Sequence, residues 1–378
     1  MNDPLKSLLQ FLSEEVNDAC WDDVDVRVLR ALNWEPVDPP PLVVTYPFPE
    51  DAPFRPYPHR EIFDDPVKML YNELVCAFDT SIALHARVGD DLPLAVRANF
   101  GTVLVASMFG ARLEQVDDNP PWVVSHEGGA YPLERILDTD PADFSAGWIP
   151  RAAETMRTYR EILDTCPELK RAIRIVLPDL QGPFDNLELI RGSEALMDLV
   201  AAPEAVARAL DALATAQIGL AKYFEQWTTE PDDGYCHQHA VALKGNVLLR
   251  NDTPIMVSPE MYRAQIAPYD ERVLRDLGGG GIHSCGNFGH LADAYLELPS
   301  IRSLDFGQSE MNDVETIYAK AAAKRIALIR VAVSEEELVS GRAREQFPTG
   351  AVLIHRAESF ESARTVARSY RESCKSER

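Results

Sequence analysis

Basic residues are scarce in this chain: 37 Lys and Arg stand against 60 Asp and Glu, for a net charge of −23. Nucleic acid is therefore not an expected partner, because phosphate binding needs clustered cationic side chains. No run of about 18 apolar residues occurs, so no membrane-spanning helix is expected. The opening "MNDPLKSLLQFLSEEV" lacks the basic and apolar regions of a secretory signal, which points to the cytoplasm. The 6 cysteines, Cys20, Cys76, Cys166, Cys236, Cys285 and Cys374, lie far apart and form no disulfide framework. Their thiols are expected to be reduced and free to bind metal. Internal repeats and low-complexity segments are also lacking.

The chain itself is that of an ordinary globular protein, with 378 residues, 46% hydrophobic and 26% charged. That length suits one large domain or two average ones. Residues 1 to about 34 have apolar positions at helical spacing, in "LKSLLQFL" and "VRVLRALNW". A proline-rich stretch follows, wrapped around a core rather than linking two domains. Eight apolar runs then recur: "PLVVTY", "PLAVRANF", "RAIRIVLPDL", "GNVLLRND", "GGIHSCG", "IRSLDFGQ", "RIALIRVAV" and "GAVLIHRA". Most are separated by amphipathic helical tracts, and "PPWVVSHEG" is a ninth run of the same kind. Such alternation predicts βα units and a parallel sheet. Eight units favour a (β/α)8 TIM barrel over residues 41–378, with residues 1–40 as an N-terminal helical extension.

Active sites of such barrels sit at the carboxyl ends of the strands. The polar residues closing the runs are then Arg97, Asn99, Asp179, Gln181, Asn251, Asp252, His283, Cys285, Gln308, Glu310 and His355. The plain alternative for each is the start of a solvated loop. "GGGGIHSCGN" (278–287) stands out among them. A phosphate cradle would follow a strand and open a helix, whereas these glycines precede the strand. They are expected to end a helix and turn the chain into the barrel. His283 and Cys285, two apart on a strand, should project to one face. Imidazole nitrogen and thiolate sulfur are zinc ligands. Gly286 permits a sharp turn after them, and Asn287 is placed to cap the next helix. The alternative is a buried cysteine beside a loop histidine.

A third donor must come from elsewhere in the chain. His355, ending the last run, is favoured. The group Cys236, His237 and His239 in "GYCHQHAVAL" is a second source or lines the entrance, and His126 is more distant. Asp252 is either a carboxylate ligand or a general base. Arg97, Asn99, Gln181, Gln308 and Glu310 are candidate small-molecule substrate contacts.

"SPEMYRAQIAPYDERVL" followed by "GGGGIHSCGN" resembles the uroporphyrinogen decarboxylase-like superfamily. "LPDLQGPFDNLELIRGSEALMDLVAAPEAV" resembles its G-P-F segment and the helix after it, and "RVLRALNWEPVDPPPL" resembles its opening segment. The resemblance runs from about Arg27 to the C-terminal helix and implies a (β/α)8 barrel. One branch decarboxylates uroporphyrinogen and carries an R-Q-A-G-R-Y signature, but here that place reads "VVTYPFPEDAPFRPY". The other branch moves a methyl group between a corrinoid and a thiol or methylated small molecule, holding zinc with an H-x-C pair and a later cysteine. His283 and Cys285 match the pair, and His355 stands in about the region of the later cysteine.

The resemblance therefore implies a zinc-dependent methyltransferase, with the corrinoid arriving free or on a partner protein and Asp252 near the substrate. A decarboxylase of uroporphyrinogen or a related carboxylate, with Asp252 or Asp179 as the acid, is the rival expectation. A noncatalytic metal- or tetrapyrrole-binding protein is the third. Self-association into a homo-oligomer is compatible with any of them.

Overall fold

The computed structural model describes residues 3–15, 18–76, 82–124, 130–238 and 241–373. Two helices, Asp3–Glu15 and Asp18–Leu32, come first. Leu5, Leu8, Leu9 and Leu12 form the buried stripe of the first one. This is the 3–4 spacing that puts side chains on one helical face, and all four join the same apolar core as the strands.

Each of the eight expected runs contains a strand. They are β1 (Leu42–Thr45), β2 (Ala95–Val96), β3 (Arg174–Ile175), β4 (Val247–Arg250), β5 (Gly280–Ser284), β6 (Ile301–Phe306), β7 (Ala327–Ala332) and β8 (Ala351–Arg356). The fold is α/β, with a 6-stranded sheet in the order β1-β8-β7-β6-β5-β4. All its pairings are parallel. β2 and β3 pair with each other in a separate 2-stranded parallel sheet. A single parallel bridge from Gln181 to Arg250 ties the chain after β3 to β4.

The free edge of β1 is satisfied by the Asp90–Asp91 segment rather than by a ladder, and Asp91 N–H donates to Leu42 O at 2.8 Å. Leu42 N–H donates to Asp91 Oδ2 (2.9 Å) and Val44 N–H to Asp90 Oδ2 (2.8 Å). Asp91 also accepts from Arg27 of the second helix and lies 3.5 Å from Arg371 of the last one. Carboxylates just ahead of β2 thus do what strand pairing would do, and they tie both ends of the chain to β1. A buried sheet edge needs some such partner, because unpaired buried N–H groups are costly.

The ninth run does not join the main sheet. Trp122–Val123 pairs antiparallel with Leu113–Glu114. A further antiparallel hairpin, Tyr235–Gln238 with Val241–Lys244, was not expected from the sequence. It precedes β4 and packs against β5, β6 and β7. Gly245 N–H donates to Gly234 O, and Asn246 N–H to Gly279 O at the start of β5. The hairpin therefore lies at the amino ends of the strands.

The glycine run divides into two parts. Gly278 and Gly279, with φ of +86° and +99°, turn the chain out of the helix Ala267–Asp276. Gly280 and Gly281 lie within β5, where an added Cβ would stand 2.1 Å from Val247 O and 2.7 Å from Ser303 Oγ. The second pair is there for close strand approach. Among the described residues, no helix is long and apolar enough to cross a membrane.

Gly245 has a φ of +99° and an ideal Cβ only 2.3 Å from Gly279 O, whereas Gly192 has a φ of +70° and open space. Gly192→Ala is expected to cost about 2 kcal/mol, because a φ of +70° with a ψ of −160° is a backbone that only glycine adopts readily. Gly245→Ala should cost at least about 3 kcal/mol, because the clash with backbone is added. Urea unfolding of both variants checks this, and equal losses would contradict it.

Candidate metal centre

β5 carries His283 to the carboxyl end of the sheet. There the parallel register sets it beside Arg250 of β4 and Asp305 of β6. The imidazole is buried, and its Nδ1 lies 3.0 Å from Asp305 Oδ2. Arg330 also reaches Nδ1 at 3.0 Å, but its main partner is the Asp305 carboxylate, which it grips through Nε (2.7 Å) and a second nitrogen. A carboxylate can only accept, so in the tautomer that pairs with Asp305 the proton sits on Nδ1. Nε2 is then a lone-pair donor, and it faces Cys285 Sγ at 3.4 Å.

The third group is Asp252, just past β4. Its Oδ1 lies 3.7 Å from His283 Nε2 and accepts the Cys285 N–H at 2.7 Å. Among the described residues, the only such cluster is Asp252, His283 and Cys285, with donor atoms all within 4.8 Å. A nitrogen lone pair, a carboxylate and a thiol that face one another need a cation or a proton between them. Burial pushes the Cys285 thiol up to about 12, the Asp252 carboxylate adds to this, and Arg330 opposes it. The thiol therefore holds its proton near neutral pH unless a cation takes the proton's place. The donor set of imidazole, thiol and carboxylate can hold a metal ion.

The loops around the cluster are built by the neighbouring motif. In "SPEMYRAQIAPYD", Ser258 caps its helix by accepting from Met261 N–H (3.2 Å) and Pro259 takes the first turn. This delivers Tyr262 and Asp270 to one buried point. The Tyr262 hydroxyl (2.7 Å) and the Asn251 amide (2.5 Å) both donate to Asp270 Oδ2. Asn251 N–H donates to His283 O at 2.8 Å, and Ser284 Oγ donates to Asn251 O at 2.9 Å. The backbone that precedes Asp252 is thus pinned to the strand that carries His283. Gly286 turns with a φ of +70°, and its N–H donates to Gln308 Oε1 (2.5 Å). Asn287 does not cap the next helix: its Oδ1 accepts from Gly289 N–H at 3.0 Å, closing a local turn.

A cleft of ≈ 870 Å³ opens beside the cluster, with Gln308, Glu310, Arg330 and His355 among its walls. His355 lies outside the group of three donors, and its Nδ1 donates to Val333 O at 2.9 Å. Glu310 is exposed at the rim. Arg97, Asn99 and Asp179 form a different cluster, near β2 and β3. Asp179 is buried and gripped by both Arg97 and Arg250. Glu73 accepts from Asn99 Nδ2 (2.9 Å) and from Arg97 N–H (3.3 Å). Burial raises the Glu73 carboxyl and lowers Arg250 to about 10. Gln181 is buried beside Arg250. His237 sits on the amino-end hairpin, bound to Glu230 at 2.8 Å, away from the His283 pair. His126 and His239 lie outside the described residues.

Three residues of the centre were not singled out in the sequence: Asp305, Arg330 and Asp185. Asp305 reads as an interruption of the run "IRSLDFGQ", and only the register makes it a partner of His283. Arg330 sits at a bulge in β7 with a φ of +61°. That left-handed backbone is strained for arginine and aims its side chain across to β6. Asp185 is buried beneath Asp252, and burial holds its carboxyl well above the usual range. No protein-family model and no curated protein matches the chain.

Burial raises Asp270 to about 7, against the two hydrogen bonds it accepts. The folded chain therefore holds this proton more tightly than the unfolded chain, whose aspartate ionises near about 4. The resulting stability is complete below about pH 4 and is lost as pH rises through about 7. Asp270→Asn, which cannot ionise, should flatten the unfolding free energy across that window by up to about 1.4 kcal/mol per pH unit. Chemical denaturation at several pH values measures the slope, and an unchanged slope in the variant would contradict the assignment.

Proposed function

We propose that the chain is a zinc-dependent methyltransferase of the uroporphyrinogen decarboxylase-like superfamily, moving a methyl group between a corrinoid and a small thiol or methylated molecule. On this reading the six-stranded sheet and the β2–β3 pair are arcs of one (β/α)8 barrel. The Gln181–Arg250 bridge and the Asp90 and Asp91 carboxylates serve as its two seams. One observation carries the functional reading. The H-x-C pair points to one side, with a carboxylate beside it, at the floor of a cleft of ≈ 870 Å³. Three protein donors with one side open to a cleft is the pattern of catalytic rather than structural zinc sites.

Bound zinc supplies the charge that keeps an acceptor thiol ionised near neutral pH, and a corrinoid supplies a transferable methyl group. The protein's own part is positioning. Asp305 fixes the His283 tautomer and aims Nε2 at the donor cluster. Arg330 neutralises Asp305, which would otherwise be a buried unpaired charge. Asp252 holds the Cys285 backbone, and Gln308 holds Gly286, so the loop after β5 keeps its shape. Gln308, Glu310 and His355, on the cleft wall, are placed to orient a substrate, and alignment of this kind can supply much of a transfer rate.

A decarboxylase of a polycarboxylate would need arginines free to take the substrate's carboxylates. Arg97 and Arg250 are instead both committed to Asp179. On the cleft wall itself Arg330 is committed to Asp305, so Arg356 is the arginine a carboxylate substrate would have to meet, and methyl transfer is the reading this supports better.

The test is turnover of methylcobalamin with small thiols by zinc-loaded protein, followed by the visible spectrum, beside release of carbon dioxide from uroporphyrinogen. Methyl transfer should appear, and His283→Ala and Cys285→Ser should each lower it at least about 100-fold. Carbon dioxide release without methyl transfer would establish the rival chemistry. Tight zinc or tetrapyrrole binding with neither turnover would leave a noncatalytic binding protein.

A further inference from the structure

The segment "QGPFDN" clasps the residues that end β4. Gly182 N–H donates to Arg250 O at 2.9 Å. Gly182 also approaches Asn251 so closely that an added Cβ would stand 1.9 Å from Asn251 Oδ1. Asn186 Nδ2 donates to Gln181 O (2.7 Å) and Gly182 O (3.1 Å), which stiffens the turn. Between these contacts the helix Pro183–Arg191 begins, and Asp185 in its first turn points beneath the metal cluster.

One oxygen of Asp185 gathers three donors. Asp185 Oδ1 accepts from Asp252 N–H (2.9 Å), Thr253 N–H (3.0 Å) and Thr253 Oγ1 (3.2 Å). The side chain is buried, with 3% exposure. These bonds fix the backbone of Asp252 from below. The Asp252 side chain then meets Cys285 N–H at 2.7 Å and faces His283 Nε2 at 3.7 Å. We propose that Asp185 is a positioning residue of the metal centre. By holding the Asp252 and Thr253 backbone it sets the Asp252 carboxylate against His283 and Cys285. The inference rests on the metal centre of the proposed function, and it extends that centre to a residue two shells from the ligand atoms. Outer residues that orient a ligand commonly change metal affinity when replaced, without touching the metal.

Two variants separate positioning from mere structural support. Asp185→Asn keeps an oxygen for the three donors, and Asp185→Ala removes it. Zinc alone is the probe, titrated against a chromogenic chelator, and amide hydrogen exchange is read on the same metal-free proteins. Asp185→Ala should weaken zinc about tenfold or more. It should also speed exchange at the Cys285 amide about tenfold, relative to the core amides of β6. Asp185→Asn should leave both near wild type. If Asp185→Ala does not fold, Thr253→Val, which withdraws one donor, should speed the Cys285 amide about threefold. Wild-type exchange at Cys285 in Asp185→Ala, or in Thr253→Val where Asp185→Ala does not fold, would overturn the proposal. If the wild-type protein takes up no zinc, the proposed function falls, and exchange at Cys285 alone decides whether Asp185 positions Asp252.

Discussion

The hydrogen bond between His283 Nδ1 and Asp305 Oδ2, 3.0 Å long and spanning two neighbouring strands, is the contact on which the rest of the centre depends. In the tautomer that donates to Asp305, Nε2 turns its lone pair toward Cys285 Sγ, 3.4 Å away. The hydrogen bond exists because β5 and β6 run parallel with His283 and Asp305 as register partners. A slip of one residue would turn His283 and Cys285 together to the other face and separate them from Asp305 and Asp252. The close glycine packing at the start of β5 therefore bears on the chemistry at its end. Gly280 and Gly281 let β5 lie against Val247 and Ser303 without a side chain between them.

Charge burial sets a second constraint. Asp305 is fully buried, and so nearly are Asp179, Arg97 and Arg250. Each would be costly alone, and each is paired: Arg330 with Asp305, and Arg97 with Arg250 on Asp179. The Asp179 group stays closed on itself, while the Asp305 group leaves the His283 lone pair facing the cleft. In the second, His283 Nε2 faces Cys285 Sγ at 3.4 Å and Asp252 Oδ1 at 3.7 Å. The chain's net charge of −23 adds little to this contrast, because screened surface charge acts weakly on buried pairs.

Much of this arrangement was legible in the sequence, and the failures have physical causes. All eight apolar runs hold strands, because parallel strands buried on both faces read as continuous apolar stretches. The convergence of His283 and Cys285 followed from strand periodicity. Asp252 was visible as a polar strand end, but its place beside the pair depends on Asp185, Asn251 and Asp270, which come from three different segments. Asp305 and Arg330 were hidden for the same reason, since register and a bulge are relations between strands. His355 reaches the cleft but spends Nδ1 on Val333 O, a main-chain contact that no spacing reveals. The hairpin bearing His237 is not legible in the sequence because its short strands merge with the run before β4.

As proposed, His283, Cys285 and Asp252 form one cation site, whatever reaction follows. Zinc stoichiometry and affinity, measured by chelator competition on wild-type protein and on Cys285→Ser, test it most directly. One tightly held zinc per chain is expected in the wild type, and its loss in the variant. No uptake by the wild type, or equal uptake by both proteins, would contradict it.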